Sequence, residues 1–236
     1  MVIAIAVGSI YVFHSCRKSK ILLEDILVMT VCITGFAITG AKVLYIFVTY
    51  DINTLVTLLK SGNLYFLIDG GLVFLGGLFF GIIGALVGAK ISEHKLWEYE
   101  NSVVPVLPLC HAIGRVGCLL AGCCYGVEYG GFCAVYYSDS LFGLSANRGY
   151  FPVQILEATL NVLLFLFLHK QSKKQHNKYE LLYQYVFLYA CIRFFTETLR
   201  GDTIRGIYLG ASTSQWISII IIIVYLFYRN IRKIIK

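Results

Sequence analysis

The sequence predicts an all-α, polytopic integral membrane protein of about seven transmembrane helices, with its N-terminus outside and its C-terminus cytoplasmic. Three observations predict this. Over 236 residues the chain is 58% hydrophobic and 14% charged, with a mean hydropathy of +0.75; soluble domains are nearer half apolar and a quarter charged. Apolar segments approaching the ~20 residues that a helix needs to cross a bilayer recur along its whole length. Lys and Arg, finally, alternate in abundance from one connection to the next.

The spans read in order as 1–13, 26–50, 64–89, 103–124, 150–168, 181–199 and 212–228. The first lacks a basic n-region and a small-residue cleavage pattern, so it is expected to be a short or tilted helix, not a signal peptide. Gly77-x-x-x-Gly81 and Gly84-x-x-x-Gly88 stud the third span, and small residues at this spacing let helices approach closely in lipid. Some of these glycines are alternatively expected to bare backbone for a ligand headgroup. Pro105 and Pro108 predict a kinked or partly re-entrant entry to the fourth span. No soluble segment, long repeat or low-complexity linker is left over, so residues 1–236 are expected to form one transmembrane domain.

Orientation follows from the connections. Those near 14–20, 90–101 and 169–180 and the C-terminal tail carry Arg17, Lys18, Lys20, Lys90, Lys95, Lys170, Lys173, Lys174, Lys178, Arg229, Arg232, Lys233 and Lys236. The alternate connections carry only Lys60, Arg148, Arg200 and Arg205. The net charge of +7 therefore belongs to a cytoplasmic face beside anionic lipid, and no nucleic-acid partner is expected.

Three basic residues fall inside spans: Lys42, Arg115 and Arg193. A guanidinium does not lose its proton, and at mid-bilayer it costs roughly 2.5–3.5 kcal/mol on insertion scales. Such a charge needs partners. At 100° per residue, His111, Arg115 and Cys118 lie within about 60° of one helix face, and Tyr189, Arg193, Glu197 and Arg200 within about 80° of another. Gln154 and Glu157 fall in the fifth span, and Asp69 stands where it would cap the third. Lys42, Arg115, Glu157 and Arg193 share one depth, slightly outside the midplane, which predicts a common cavity. Lys42, Arg115 and Arg193 against Glu157 and Glu197 leave one positive charge in excess, which suits an anion, and a guanidinium suits a phosphate. The competing reading is of ion pairs that only fix helix register, Arg193 with Glu197 and Arg115 with Glu157.

Of eight cysteines, most lie in or beside apolar spans, so no disulfide framework is expected. Cys118, Cys123 and Cys124 are close in sequence, but no CxxC pair and no histidine at ligand spacing accompanies them. Free cysteine also packs well as a small apolar residue. Neither a metal nor a cofactor is expected.

A series of motifs then follows one order along the chain. It comprises Gly40-Ala41-Lys42; Gly70-Gly71-Leu72 through Gly76-Gly77-Leu78; Gly114-Arg115-Val116-Gly117 leading to Gly122 and Gly126; Pro152-Val153-Gln154 with Glu157; Arg193-Phe194 with Glu197 and Arg200-Gly201-Asp202; and Ser214-Gln215-Trp216. In that order it resembles the prolipoprotein diacylglyceryl transferase family of the bacterial inner membrane. The resemblance implies transfer of the diacylglyceryl group of phosphatidylglycerol to the lipobox cysteine thiol of a prolipoprotein. A thioether forms and glycerol-1-phosphate leaves. It also implies that Arg115 and Arg193 handle the phosphate, with Glu157 and Glu197 orienting them and Tyr189, Gln154 and Arg200 lining the headgroup cavity. Lys42, Asp69, Cys118, Gly122 and Gly126 are the further expected substrate contacts.

The chain departs from the family pattern at Leu75, where the family has histidine, and at Cys118, Ala121 and Cys123, where it has Asn, Asn and Glu. His111, one turn before Arg115, is the candidate base in its place. The rival readings are a related transferase with a different acceptor, a transporter, and a thiol enzyme built on Cys118, Cys123 and Cys124.

Overall fold

The computed structural model describes residues 2–16, 22–62, 74–137, 147–174, 177–201 and 207–234. The chain is mostly helical: α1 (Val2–Cys16), α2 (Leu23–Thr49), α3 (Ile52–Lys60), α4 (Phe74–Ile91), α5 (Glu100–Val103), α6 (Val106–Ala121), α7 (Val153–Gln171), α8 (Glu180–Glu197) and α9 (Thr213–Ile234). A two-residue hairpin, β1 (Ile207–Tyr208) and β2 (Ala211–Ser212), precedes α9. Among the described residues four helical segments are long and apolar enough to cross a membrane: Leu23–Thr49, Glu100–Ala121, Val153–Gln171 and Thr213–Ile231. Val2–Cys16 and Phe79–Ile91 are shorter apolar helices. The expected sixth span is present as α8, which carries three charged residues, Glu180, Arg193 and Glu197, and is not one of these four. The start of the expected third span, with Asp69, lies outside the described residues.

The chain divides into two compact units, residues 13–99 and residues 1–12 with 100–236. In the first, α2 packs along α4. The contacts pair Gly40 with Gly76, Cys32 and Phe36 with Gly84, and Met29 with Gly88, so the helices run antiparallel. A β-carbon at Gly84 would stand 2.5 Å from the Cys32 carbonyl oxygen. At Gly40, Gly76, Gly84 and Gly88 the glycines therefore serve helix packing, because backbones this close leave no room for a side chain. Lys42 belongs to this unit, its ammonium 5.0 Å from the centre of the Tyr45 ring.

In the second unit, α6 packs on α7, α7 on α8 and α8 on α9. Val104, Leu164, Leu168 and Leu181 form its apolar centre, with Tyr185, Leu188 and Tyr189 against them. Large apolar side chains also face outward, among them Leu120 on α6, Leu163 on α7, and Ile220 and Ile223 on α9. An outward apolar surface of this extent is what lipid demands and water forbids. The entry to α6 is broken as the prolines predict: α5 ends at Val103, and Pro105 restarts the chain into α6.

Helix starts are capped from a distance. The buried Glu100 carboxylate accepts the backbone N–H groups of Tyr179 (2.7 Å) and Leu182 (2.9 Å), which satisfies donors that open α8. At α9, the Ser212 hydroxyl accepts the Gln215 N–H (3.2 Å) while the Gln215 side chain accepts the Ser212 N–H (2.9 Å), a reciprocal capping box. Gln215, one of the motif residues, thus has a structural task.

In the unit of residues 13–99, His94 follows α4 and clasps Glu98 (2.8 Å) and Asp25 in the first turn of α2 (3.2 Å). The Glu98 hydrogen bond, with the Asp25 charge in support, holds its pKa above the ordinary histidine range. A raised folded-state pKa means stabilisation that is full below the unfolded value of about 6.5 and is lost as pH rises through the folded value. The melting-temperature gap between wild type and His94→Gln in detergent is expected to be widest near pH 6 and to close by about pH 9. A gap that is constant with pH counts against the clasp.

Candidate active site

The site is built at the ends of three helices of one unit. Arg115 projects from α6, Glu157 from the second turn of α7, and Arg193 and Glu197 from the last two turns of α8. Glu157 is 1% exposed. Its Oε1 accepts from Arg115 Nη2 at 2.9 Å and from Arg193 Nη1 at 3.3 Å. Arg193 Nη2 meets Glu197 Oε2 at 2.6 Å, one helical turn on. His111 Nε2 lies 4.0 Å from the same Glu157 oxygen, and its ring packs 5.1 Å from that of Tyr189. Arg115 Nε and Glu157 Oε2 are buried without a hydrogen-bond partner among the described residues.

Local sequence explains why these ends converge. Helix α6 stops at Gly122, whose φ of +69° is open to glycine at little cost, and the Cys123 N–H returns to the Cys118 carbonyl at 3.1 Å. Cys124 also takes a positive φ of 56°, turning the chain back over the helix end. The segment after it is stitched to both neighbours. Gly126 N–H donates to Phe151 O (3.2 Å), Val127 N–H to Leu199 O (3.0 Å) and Gly201 N–H to Tyr125 O (3.1 Å). The Gly126–Arg200 bridge brings a third arginine to the cluster. Arg200 lies within electrostatic reach of Arg115. A β-carbon at Gly126 would stand 2.9 Å from the Leu199 carbonyl oxygen, so this glycine serves close backbone approach.

The structure therefore joins Arg115, Glu157, Arg193, Glu197, His111, Tyr189 and Arg200 in one place. Both expected ion pairs exist, but they share Glu157 and form a chain, not two separate pairs. Among the described residues the cluster holds three arginines, Arg115, Arg193 and Arg200, and two glutamates, Glu157 and Glu197. Gln154 is buried beneath the loop, its Nε2 donating to Cys123 O (2.9 Å) and to the Tyr137 hydroxyl (3.1 Å). Gly122 forms the turn. Lys42 belongs to the other unit, and Asp69 lies outside the described residues, as does the side chain of Leu75. The sulfurs of Cys118, Cys123 and Cys124 come within 4.8 Å of one another. Sequence spacing argued against such a group, because the turn that forms it is a backbone event that no ligand motif announces. Glu100 and Tyr137 were likewise missed. A lone carboxylate before a helix two spans away gives no local signal.

A family model for prolipoprotein diacylglyceryl transferase matches residues 1–230. The chain belongs to the prolipoprotein diacylglyceryl transferase family. Among its relatives, the phosphatidylglycerol–prolipoprotein diacylglyceryl transferase 2 of Clostridium perfringens (strain 13 / Type A) is 35% identical over 199 residues, covering 84% of this chain and 75% of its own. The phosphatidylglycerol–prolipoprotein diacylglyceryl transferase of Clostridium tetani is 34% identical over 199 residues, covering 83% and 76%. That of Clostridium botulinum (strain Langeland / NCTC 10281 / Type F) is 27% identical over 241 residues, covering 98% and 90%.

In this member of the prolipoprotein diacylglyceryl transferase family, Glu157 accepts from two guanidiniums at a single oxygen, and Glu197 meets the second of them. Removing one partner of a buried pair costs about 3–5 kcal/mol because the other charge stays buried. Glu157→Ala is expected to lower stability in detergent by about that amount. A Glu157→Ala melting temperature equal to that of the wild type counts against the shared-carboxylate arrangement.

Proposed function

We propose that the chain is a phosphatidylglycerol–prolipoprotein diacylglyceryl transferase of the bacterial inner membrane. In this reading it is a single transferase domain of seven spans, N-terminus outside and C-terminus cytoplasmic. The alternation of Lys and Arg supports the orientation, and the names of the relatives support the donor and acceptor. The observation that carries the reading is the arginine cluster: Arg115 and Arg193 share the buried Glu157, and Arg200 is brought within electrostatic reach of Arg115.

The chemistry follows from the charges. The thiolate sulfur of the lipobox cysteine bonds to the terminal glyceryl carbon of the lipid, and the carbon–oxygen bond to phosphate breaks. The electron pair leaves with the phosphate oxygen, and glycerol-1-phosphate departs. Negative charge grows on that oxygen in the transition state. Guanidiniums already fixed by Glu157 and Glu197 stabilise it without reorganising, in a place where water does not screen them. Tyr189, Gln154 and Arg200 shape the headgroup cavity, and Cys118, Gly122 and Gly126 border it. Lys42 and Asp69 are further substrate contacts in this reading. His111, beside Glu157 and Tyr189, is the base for the acceptor thiol.

The test is a transfer assay on the purified full chain, with labelled phosphatidylglycerol and a lipobox peptide. Arg115→Lys and Arg193→Lys keep the charge but lose the fork that matches phosphate. Each is expected to lower kcat/KM by about 10²–10³-fold, the scale of losing one pre-positioned donor. His111→Ala is expected to lower kcat by at least about 10²-fold. Release of glycerol phosphate without peptide modification would favour a transferase with another acceptor. Absence of turnover while phospholipid still binds would sink the enzymatic reading.

A further inference from the structure

We propose that Cys118, Cys123 and Cys124 form a three-thiolate site for a thiophilic divalent cation of the zinc class, with a fourth position open to the acceptor sulfur. The second half rests on the proposed transfer activity; the first does not.

The geometry comes first. The three sulfurs lie within 4.8 Å of one another. A zinc ion with bonds of about 2.3 Å to each would hold them about 3.8 Å apart in a tetrahedron, so closure needs about 1 Å per pair. Small side-chain rotations supply that. Cys118 stands on the last turn of α6, and the other two on the turn that reverses over it. The group is already drawn together: the Cys123 thiol donates to the Cys118 carbonyl at 3.6 Å. Gln154 fixes the Cys123 carbonyl from below. The scaffold is therefore held from both sides.

Charge is the second argument. Cys124 lies within electrostatic reach of Arg200 and Arg115. Three thiolates around a divalent cation carry a net charge of −1, which guanidiniums within electrostatic reach stabilise. A neutral packing role for three cysteines gains nothing from that neighbour.

Chemistry is the third. A site with three protein ligands and an open position is the pattern of catalytic zinc, whereas structural zinc sites close with four. A thiol that enters the coordination sphere is deprotonated outright. The acceptor S–H would give its proton to the water displaced from the fourth position, and onward to His111. Its sulfur would then form the S–C bond as the C–O bond to phosphate breaks. No oxidant or reductant enters.

The experiment uses the full chain, purified in detergent with its thiols reduced. Metal content after zinc loading is expected to be one equivalent, and cadmium titration is expected to give a thiolate-to-metal charge-transfer band that saturates at the same ratio. Cys133→Ser, at an exposed loop position, is expected to leave both unchanged. Cys123→Ser is expected to weaken zinc binding more than about 10-fold, beyond the low end of an outer-shell change. Zinc added to the wild type is also expected to slow alkylation of Cys118, Cys123 and Cys124 but not of Cys133, a readout independent of any variant's folding. A wild type that binds no more zinc than the Cys118→Ser/Cys123→Ser/Cys124→Ser variant, or shows no protection, overturns the site. For the open position, the cobalt-loaded protein is given a lipobox peptide or its Cys→Ser analogue. A shift of the visible cobalt bands with the cysteine peptide alone supports the proposal. Peptide modification with unshifted bands overturns it. Shifted bands without any transfer leave the site standing and remove the transferase reading instead.

Discussion

One oxygen atom organises this site. Glu157 Oε1 accepts from an arginine on each of the two helices that flank α7, and the carboxylate is almost wholly enclosed. Taking a guanidinium or a carboxylate out of water costs several kcal/mol even after relaxation, and only good geometry with further hydrogen bonds offsets it. Here one carboxylate serves two guanidiniums, and the i,i+4 neighbour Glu197 serves the second again. The three helix ends are therefore tied through a single acceptor, and the chain of ion pairs Arg115–Glu157–Arg193–Glu197 fixes their rotation about their own axes. No exposed salt bridge in the molecule, such as that of Arg148 with Glu128, carries comparable weight.

The loop after α6 adds what the helices cannot. A helix presents a residue every 100°, so only Arg115 and its neighbours at i±3 and i±4 face α7. Ending α6 at Gly122 frees the next residues to fold back, and the backbone bonds from Gly126, Val127 and Gly201 carry Arg200 to the same place. Helix ends and stitched loops together gather groups that lie far apart in sequence.

How much of this was legible without coordinates follows from physical cause. Spans announce themselves because a run of apolar residues has few other uses, and five of the expected segments match helices to within three residues at each end. Arg115, Arg193 and Glu157 were legible for the opposite reason, since a charge in such a segment is expensive and must be partnered. The sharing of Glu157 by both arginines was not, because helix-wheel phase gives the face but not which neighbour occupies it. Cys124, Gln154 and Glu100 were illegible in their roles. Each acts through a backbone group, the first by its own positive φ, the others on the carbonyl of Cys123 and the N–H groups that open α8. Lys42 was grouped with the cluster on depth alone, and depth does not assign a residue to a compact unit.

The cluster's charge decides between a strut and a binding site. Ion pairs kept only to fix helix register close on themselves, because any surplus charge is a standing cost in a medium of low dielectric. Among the described residues this cluster is not matched in number. Three arginines face two glutamates, and Arg115, whose guanidinium has five N–H donors, spends one of them on Glu157 while its buried Nε has no partner among the described residues. A phosphate diester carries one negative charge and several acceptor oxygens, so it matches the surplus in sign, in size and in hydrogen-bonding sense. It would also bind without displacing Glu157, whose geometry keeps the guanidiniums aimed. In the proposed reading, an acid that holds its bases in place and leaves a donor of Arg115 open to a phosphate serves binding.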